Sequence, residues 1–360
     1  MIRINIKHIF VLAGFIGSFL SCQDLKFGDD FLEKAPSNDV DIDVIYSNAQ
    51  YARTALWSAY ATLHYGLNLG NQGNQLMGSD PLDCLTDLVY SNVWTDGVSG
   101  AAIHYNGTYS ADYENNGYSS KYSYYQRPCW LGIRRAWLFI ENVDRVPDMK
   151  EAEKQRLKAE AKVIIAMHYC DLFRHYGGVP IVDHAYTANE DMQKERGTVQ
   201  ETLDFIVNLL DEAADVLPWA MSAAENREWE GRLTKASAMG LKARILLFAA
   251  SPLFNGNEDF RDVVNKDGTP LFSQSKDNSK WERAAKAAKL VIDMPEYDLY
   301  KEYLDDGSID ALMSCINLFL TTPTNNKEII LAYPGKTNGL YEYHLLPRGS
   351  GWAGGISATQ

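Results

Sequence analysis

The segment that decides the fold is residues 151–180, which read EAEKQRLKAEAKVIIAMHYCDLFRHYGGVP. Its apolar residues recur three and four positions apart, the spacing that places side chains on one face of an α-helix. That face consists of Leu157, Ala161, Ile164, Ile165, His168, Tyr169 and Leu172. Gly177 and Gly178 end the pattern, and residues 179–182 are typical of an extended segment. The segment therefore predicts an amphipathic helix over about 151–176.

The same periodicity predicts five more helices on either side of this one. They cover about residues 44–65, 130–146, 198–217, 234–250 and 281–293. Small residues that permit close approach between helices recur in the fourth: Ala236, Ala238, Gly240 and Ala243. Helix pairs of this size are typical of stacked repeats. We therefore predict a mostly α-helical fold of tetratricopeptide-like helix pairs with long irregular insertions.

Residues 68–126 have no sustained period and are rich in Gly, Asn, Ser, Asp and Tyr. A loop of this length is usually either functional or disordered, and its many aromatic side chains argue against disorder. The rings are Tyr90, Trp94, Tyr105, Tyr109, Tyr113, Tyr118, Tyr122, Tyr124 and Tyr125. This mixture of aromatic and amide side chains suits a polar ligand.

Trp94, with Asn92 and Asp96 beside it, is the clearest candidate contact in this loop. Sugars present flat C–H faces ringed by hydroxyl groups, so a sugar site needs exposed rings for stacking and polar groups for the rim. The alternative is that Trp94 fills a small satellite core under the loop. The sequence leaves both interpretations open.

The N-terminus has the pattern of a secretory signal peptide. Arg3 and Lys7 precede a short apolar run, and small residues follow it. Residues 19–22, FLSC, resemble a bacterial lipobox, in which the cysteine is acylated and becomes the new N-terminus. We therefore predict a signal peptide over 1–21, lipidation at Cys22 and a polar tether over 22–42; a plain secreted protein is the alternative.

The charge balance restricts the class of partner. The formal net charge is −13 at pH 7, whereas tight binding to nucleic acid or to an anionic membrane surface needs clustered Lys and Arg. We therefore expect no binding to nucleic acid. Four cysteines besides Cys22 remain, namely Cys84, Cys129, Cys170 and Cys315. Their spacing defines no disulfide framework, and free buried thiols and bridges both stay open.

No motif in the chain predicts catalysis or a metal site. The serines near glycines lack GxSxG spacing, and the histidines lack HExxH spacing. Asn255, Asn257 and Asp259 imitate half of a calcium loop, but Phe260 stands where the required glycine would be. We therefore predict no enzyme activity and no cofactor; a different calcium site stays open, and a glycosidase carboxylate pair is the enzymatic alternative.

Several blocks, in order along the chain, resemble the SusD/RagB family of outer-membrane nutrient-binding lipoproteins. They are FLEKAP (31–36), ALWSAY (55–60), GIRRA (132–136), IENVD (140–144), EAK (160–162), YGGVP (176–180), LP (217–218), GRLTK (231–235) and SPLFN (251–255). The resemblance implies a lipid-anchored, cell-surface protein that captures a nutrient for a SusC-like TonB-dependent transporter. It also implies that the helical side faces this transporter.

The resemblance also implies that the domain, residues 43–360, consists of a helical scaffold and ligand-binding loops. The helical scaffold would lie mainly at 43–66 and 127–293, and the ligand-binding loops mainly at 67–126 and 294–360. Family sugar sites take rings from both loop regions, which adds Tyr341, Tyr343 and Trp352 to Trp94 as candidates. Members are usually longer, so we expect a C-terminal portion to be missing from this chain.

The predicted function is therefore non-catalytic binding of an oligo- or polysaccharide at the outer membrane. A peptide-capturing member of the same family is one alternative. A helical scaffold that assembles a surface complex without binding a ligand is the other.

Overall fold

The computed structural model describes residues 42–63, 82–91, 101, 105, 107, 129–187, 189–221, 231–322, 325–332 and, for the backbone, 356–358. The chain divides into two units, residues 1–44 and residues 45–360, and the features discussed below belong to the second.

The described residues are mostly helical. The helices are α1 (Ile42–Ile45), α2 (Ala49–Tyr60), α3 (Cys129–Asn142), α4 (Glu151–Tyr176), α5 (Val199–Ala214), α6 (Lys235–Ala250), α7 (Ser279–Ile292) and α8 (Ala311–Leu320). The strands are β1 (Val89–Ser91), β2 (Glu302–Tyr303), β3 (Ile309–Asp310) and β4 (Ile356–Ala358). Strand β1 pairs antiparallel with β4, and β2 pairs antiparallel with β3.

The long helices pack in the order in which they occur along the chain. Helix α2 packs on α3, α3 on α4, α4 on α5, α5 on α6, and α6 on α7. Each helix therefore buries its apolar face mainly against its sequence neighbours, as in a stacked array. The predicted fold class, mostly α-helical with tetratricopeptide-like pairs, is confirmed.

Helix α4 is the centre of the core, and its bounds agree with the prediction from residues 151–180. Val163, Ile164, Ile165 and Phe173 on this helix are fully buried. Gly177 ends it with a left-handed φ of 73°, and its N–H donates to the Phe173 carbonyl at 2.9 Å. A residue without a Cβ is needed there because L side chains avoid this region of backbone space.

A buried polar network ties three elements of the stack together. Glu160 on α4 is fully buried, and its carboxylate accepts hydrogen bonds from the Tyr60 hydroxyl at 2.9 Å and from the Arg232 guanidinium. Arg156 lies one turn before Glu160 and donates to it at 3.4 Å. The Tyr60 oxygen in turn accepts from the backbone N–H of Leu233 at 3.1 Å. Burial raises the pKa of the Glu160 carboxyl, and Arg232 and Tyr60 oppose that rise.

A second buried contact joins α2, α3 and α4. The Thr62 hydroxyl donates to the Ala59 carbonyl at 2.6 Å, so its lone pair accepts from Nε2 of His168 at 2.9 Å. His168 lies beside Gly132 of α3, where a Cβ atom would overlap both the Thr62 and His168 side chains. His168 therefore has a structural role in the core.

The structure corrects two predictions about the helices and adds one helix. The first predicted helix, 44–65, is broken at residues 46–48, because Asn48 caps α2 by accepting from the N–H of Tyr51. Gly240 is not needed for helix approach, since among the described residues an added Cβ would meet only Ile330, at 3.9 Å. Helix α8 is the additional helix, and it lies inside 294–360, which the resemblance assigns mainly to loops.

The four cysteines outside the N-terminal region are thiols and form no disulfide bond with one another. Cys84, Cys129 and Cys170 are buried, and Cys315 on α8 is exposed. Burial raises the pKa values of Cys129 and Cys170 to about 12 each, so both thiols are protonated and unreactive at neutral pH.

Candidate functional site

The candidate site is built on the short ladder between β1 and β4. Its register pairs Val89 with Ala358, Tyr90 with Ser357 and Ser91 with Ile356. Successive strand residues point to opposite faces, which places Ser91 in the interior and leaves Tyr90 half exposed. The ladder therefore joins the insertion after α2 to the last described segment of the chain.

An exposed pair of tyrosine rings lies at this ladder. The Tyr90 and Tyr105 rings stack with centroids 5.1 Å apart and planes 10° from parallel. The Tyr105 hydroxyl donates to the Cys84 carbonyl at 2.6 Å and accepts from the Ser91 N–H at 3.2 Å. Tyr105 is thus held by two hydrogen bonds, and Tyr90 is held by stacking on it. We call Tyr90 and Tyr105 the tyrosine platform.

Such a platform can bind a flat, partly apolar ligand. Tyr90 is 50% exposed and Tyr105 is 38% exposed, so the rings still present surface to solvent. Rings fixed before binding lose little conformational entropy when a ligand stacks on them. Both tyrosines are among the aromatic residues of 68–126, but the local sequence pattern does not single them out, because it does not show that Tyr105 approaches Tyr90.

The site residues predicted from sequence lie outside the described residues. They are Cys22, Asn92, Trp94, Asp96, Tyr341, Tyr343 and Trp352. Their roles remain predictions, as do the signal peptide over 1–21 and the tether.

A cavity of about 290 Å³ lies elsewhere, beside the N-terminus of α6. Its polar lining includes Arg232, Tyr297 and Asn326. Arg232 is paired with Glu160, Tyr297 donates to the Trp219 carbonyl at 3.0 Å, and Asn326 donates to the Leu318 carbonyl at 2.9 Å. These three groups are already used within the fold, whereas Glu296 and Lys327 also line the cavity, so it is a second candidate ligand site in addition to the tyrosine platform.

The remaining sequence candidates have structural partners. The Asn255 side chain donates to the Asp277 carbonyl at 2.8 Å and accepts from the Asp277 N–H at 2.9 Å, so it closes a turn. Asn257 caps the short 3-10 helix Glu258–Phe260. Within the described ranges, no group of three or more His, Cys, Asp or Glu side chains could hold a metal ion. No helix in this part of the chain is long and apolar enough to cross a membrane.

A histidine between two carboxylates lies on the connection from α4 to α5. Nδ1 of His184 is 2.8 Å from Asp183, and Nε2 is 2.5 Å from Glu190. These hydrogen bonds, first to Asp183 and then to Glu190, raise the pKa of His184. The same contacts lower the pKa values of both carboxyl groups.

We expect the 183–190 segment to be held most firmly in a mildly acidic window. The stabilising contribution of protonated His184 to this segment is complete below the ordinary histidine pKa near 6.5. It is lost as pH rises through the raised pKa of His184. The stabilising contribution of ionised Glu190 is present above the ordinary glutamate pKa near 4.5. It is lost as pH falls through the lowered pKa of Glu190. Hydrogen exchange of this segment, corrected for the intrinsic pH dependence, should show greatest protection between these limits. The His184→Asn variant is the control, and an unchanged pH profile in it would contradict the assignment.

Comparison with known proteins shows to which family of proteins the chain belongs. The family model described as "Starch-binding associating with outer membrane" matches residues 30–247, more than half of the chain. The chain belongs to this SusD-like family of outer-membrane-associated proteins.

Individual relatives agree with this assignment. SusD-like protein P38 of Formosa agariphila is 24% identical over 252 residues, which cover 68% of this chain and 42% of that protein. The solved structure of BT4246 is 23% identical, with a TM-score of 0.67, and the match covers 86% of this chain and 55% of BT4246. A SusD-like carbohydrate-binding protein from Bacteroides fragilis is 17% identical, with a TM-score of 0.54 over 87% of this chain and 52% of its own. The chain thus spans about half the length of the relatives it matches.

Proposed function

We propose that the protein binds glycans at the cell surface and delivers them to a SusC-like TonB-dependent transporter, without catalysis. The family match over residues 30–247, to a family described as starch-binding, carries the proposal. The structurally similar protein from Bacteroides fragilis, described as carbohydrate-binding, supports it. Anchoring of the mature protein in the outer membrane through a lipid on Cys22 is part of the same proposal.

Chain geometry supports a binding surface at the β1–β4 ladder. Trp94 follows Ser91 by three residues and Trp352 precedes Ile356 by four. Because one residue spans at most about 3.6 Å, the covalent chain limits how far a residue so close in sequence can be from the ladder. This limit supports one shared surface for the two loop regions that the resemblance assigns to ligand binding, with the tyrosine platform beside it.

The ligand-binding surface would then combine stacking with polar contacts. The tyrosine platform and Trp94 would lie against the C–H faces of sugar rings, and Asn92 and Asp96 would hydrogen-bond the hydroxyl rim. Tyr341, Tyr343 and Trp352 would extend this surface from the C-terminal loop region. No cofactor has a part in this mechanism, because capture and release of a glycan need no bond to break.

Native gels that contain a panel of polysaccharides provide the test. The mature chain carrying Cys22→Ser, which prevents acylation, should be retarded by at least one class of glycan. Retardation by no glycan, with a peptide retained instead, would overturn the proposal in favour of a peptide-capturing protein. Co-purification with the transporter and no response to either ligand would indicate a scaffold. Reducing sugar that accumulates with time would indicate a hydrolase.

Substitutions in the site should weaken binding to the retained glycan. Tyr90→Ala and Trp94→Ala should each reduce affinity by about tenfold, roughly 1.4 kcal/mol, because truncating a ring that stacks on a ligand removes most of its contact. Tyr51→Ala on α2 and Trp281→Ala on α7 are matched controls, since these rings are 52% and 41% exposed elsewhere on the molecule. Full affinity in Tyr90→Ala would remove the tyrosine platform from the site.

A further inference from the structure

The cavity beside the N-terminus of α6 has a largely aliphatic lining. Residues 329–332, which read IILA, supply it together with Ala220 and Met221. Ile330 also packs against the buried cluster that α5, α6 and α7 form, so this lining is held by the fold. The volume of about 290 Å³ lies at the lower end of the range of roughly 300–1,000 Å³ that small-molecule sites occupy. The cavity therefore has the size for a small metabolite rather than for a polymer.

The buried polar groups of the cavity are bonded within the fold. Asn326 is 2% exposed, and its side chain accepts from the Glu328 N–H at 3.0 Å while donating to a carbonyl of α8. The Thr234 hydroxyl caps α6 by accepting from the Ser237 N–H at 3.3 Å. Arg232 belongs to the buried network around α4. These groups keep the cavity in shape, and the selection of a ligand depends on the rest of the lining.

Two charged side chains of opposite sign complete the lining. Glu296 and Lys327 both line the cavity and are exposed to solvent. They lie on neighbouring segments, because the Asp298 N–H donates to the Lys327 carbonyl at 3.4 Å. Lys301 lowers the pKa of Asp298 more than Lys327 does, because the Asp298 carboxylate bonds the Lys301 ammonium group at 3.2 Å. An anion and a cation are therefore held together at the mouth of the cavity.

This lining fits a zwitterion with an apolar side chain. Glu296 would repel a lone anion and Lys327 a lone cation, whereas a ligand with an ammonium and a carboxylate group can satisfy both. The aliphatic lining then takes up an apolar side chain. A sugar fits less well, because Tyr297 is the one ring among the described lining residues and its hydroxyl donates to the Trp219 carbonyl at 3.0 Å. Apolar α-amino acids and dipeptides combine the required groups in a molecule of this size.

We propose that the cavity binds a free apolar α-amino acid or dipeptide as its zwitterion. The ligand ammonium group lies against Glu296, its carboxylate lies against Lys327, and its side chain packs against the aliphatic lining at Ile330 and Leu331. A site for this ligand goes beyond glycan capture, and neither inference depends on the other.

Isothermal titration calorimetry of the mature chain carrying Cys22→Ser tests the proposal, with L-leucine and L-leucyl-L-leucine as probes. At least one probe should bind saturably. Its N-acetylated and C-amidated forms each lack one charge and should bind about tenfold more weakly. Tighter binding of L-leucine would identify a single amino acid as the ligand, and tighter binding of the dipeptide would identify a two-residue ligand.

Substitutions at the mouth of the cavity show whether the two charges recognise the ligand. Glu296→Gln and Lys327→Gln should each weaken binding of the preferred probe by about tenfold. Glu296→Gln should also bind that probe and its N-acetylated form almost equally, because the ammonium group then has no carboxylate to meet. Glu258→Gln and Lys286→Gln are matched controls, since these side chains are 82% and 76% exposed and lie outside the cavity lining.

Several results would overturn the proposal. Neither probe could bind saturably, the blocked forms could bind as tightly as the free ones, or both variants could keep full affinity. Retardation by a polysaccharide that is lost in Glu296→Gln and kept in Tyr90→Ala would assign the cavity to a glycan instead. Native gels of the same samples report on glycan capture separately, so either inference can fail while the other stands.

Discussion

Replacing Glu160 by glutamine is expected to lower the free energy of unfolding by about 3 kcal/mol, because removing one partner of a buried ion pair leaves the other charge uncompensated. Glu160 is fully buried and bonds both Arg232 and Tyr60, so the variant leaves a cation in a site built for a carboxylate. Urea unfolding of the mature chain, monitored by circular dichroism, measures the loss.

A second glutamate on the same helix provides the control. Glu153 pairs with Arg53 at 2.6 Å, but both side chains are about one-third exposed. Glu153→Gln should therefore cost less than about 1 kcal/mol, as exposed ion pairs usually do. Equal losses in the two variants would show that burial of the Glu160 network has no special energetic role.

The double variant Glu160→Leu with Arg232→Met separates the charge effect from packing. Replacing both partners with apolar side chains removes the Glu160 and Arg232 charges together, so neither is left buried without the other. The double variant should therefore be more stable than the sum of the two single losses predicts. Strict additivity would mean that the two residues act independently.

Gly132→Ala is expected to destabilise the protein by roughly 3 kcal/mol. The added methyl group would overlap both Thr62 and His168, which hydrogen-bond each other in the core. Forcing them apart adds the cost of overpacking to that of a broken buried hydrogen bond, each about 1–3 kcal/mol. Thermal and denaturant unfolding both report this change.

Gly240→Ala is the matched substitution in another helix, and its expected effect has the opposite sign. The nearest atom of the described residues to a new Cβ is Cγ2 of Ile330, 3.9 Å away, an ordinary van der Waals distance. Alanine should then stabilise α6 by about 0.5–1 kcal/mol, because glycine loses more backbone entropy in a helix. If both variants were destabilised alike, the absence of a side chain would be needed at Gly240 as well as at Gly132.

The helical scaffold could be predicted from sequence because its signals are local. The apolar spacing over residues 151–176 and the stop at Gly177 lie within one stretch of chain, and the observed α4 has the same bounds. Helix α8 could not be predicted in the same way for a physical reason. Its polar side chains bond the β2–β3 hairpin, so its apolar residues are not matched by a polar face toward solvent.

The tyrosine platform could not be predicted because it depends on contacts between distant positions. The Tyr105 hydroxyl bonds Cys84 and Ser91, which lie 21 and 14 positions away, and these bonds help to hold its ring against Tyr90. The pairing of Val89 with Ala358 joins segments still farther apart along the chain. Neither relation leaves a periodic signal in the residues themselves.

The β1–β4 ladder also has a kinetic consequence. Its two strands have three residues each and come from segments far apart in the sequence, so pairing them closes a very long loop for few hydrogen bonds. The helices form from neighbouring residues and should assemble first, and contacts of large sequence separation form slowly. A newly synthesised chain should therefore acquire its stacked scaffold before this ladder closes, and we expect affinity for the proposed glycan to appear only in the last phase of refolding.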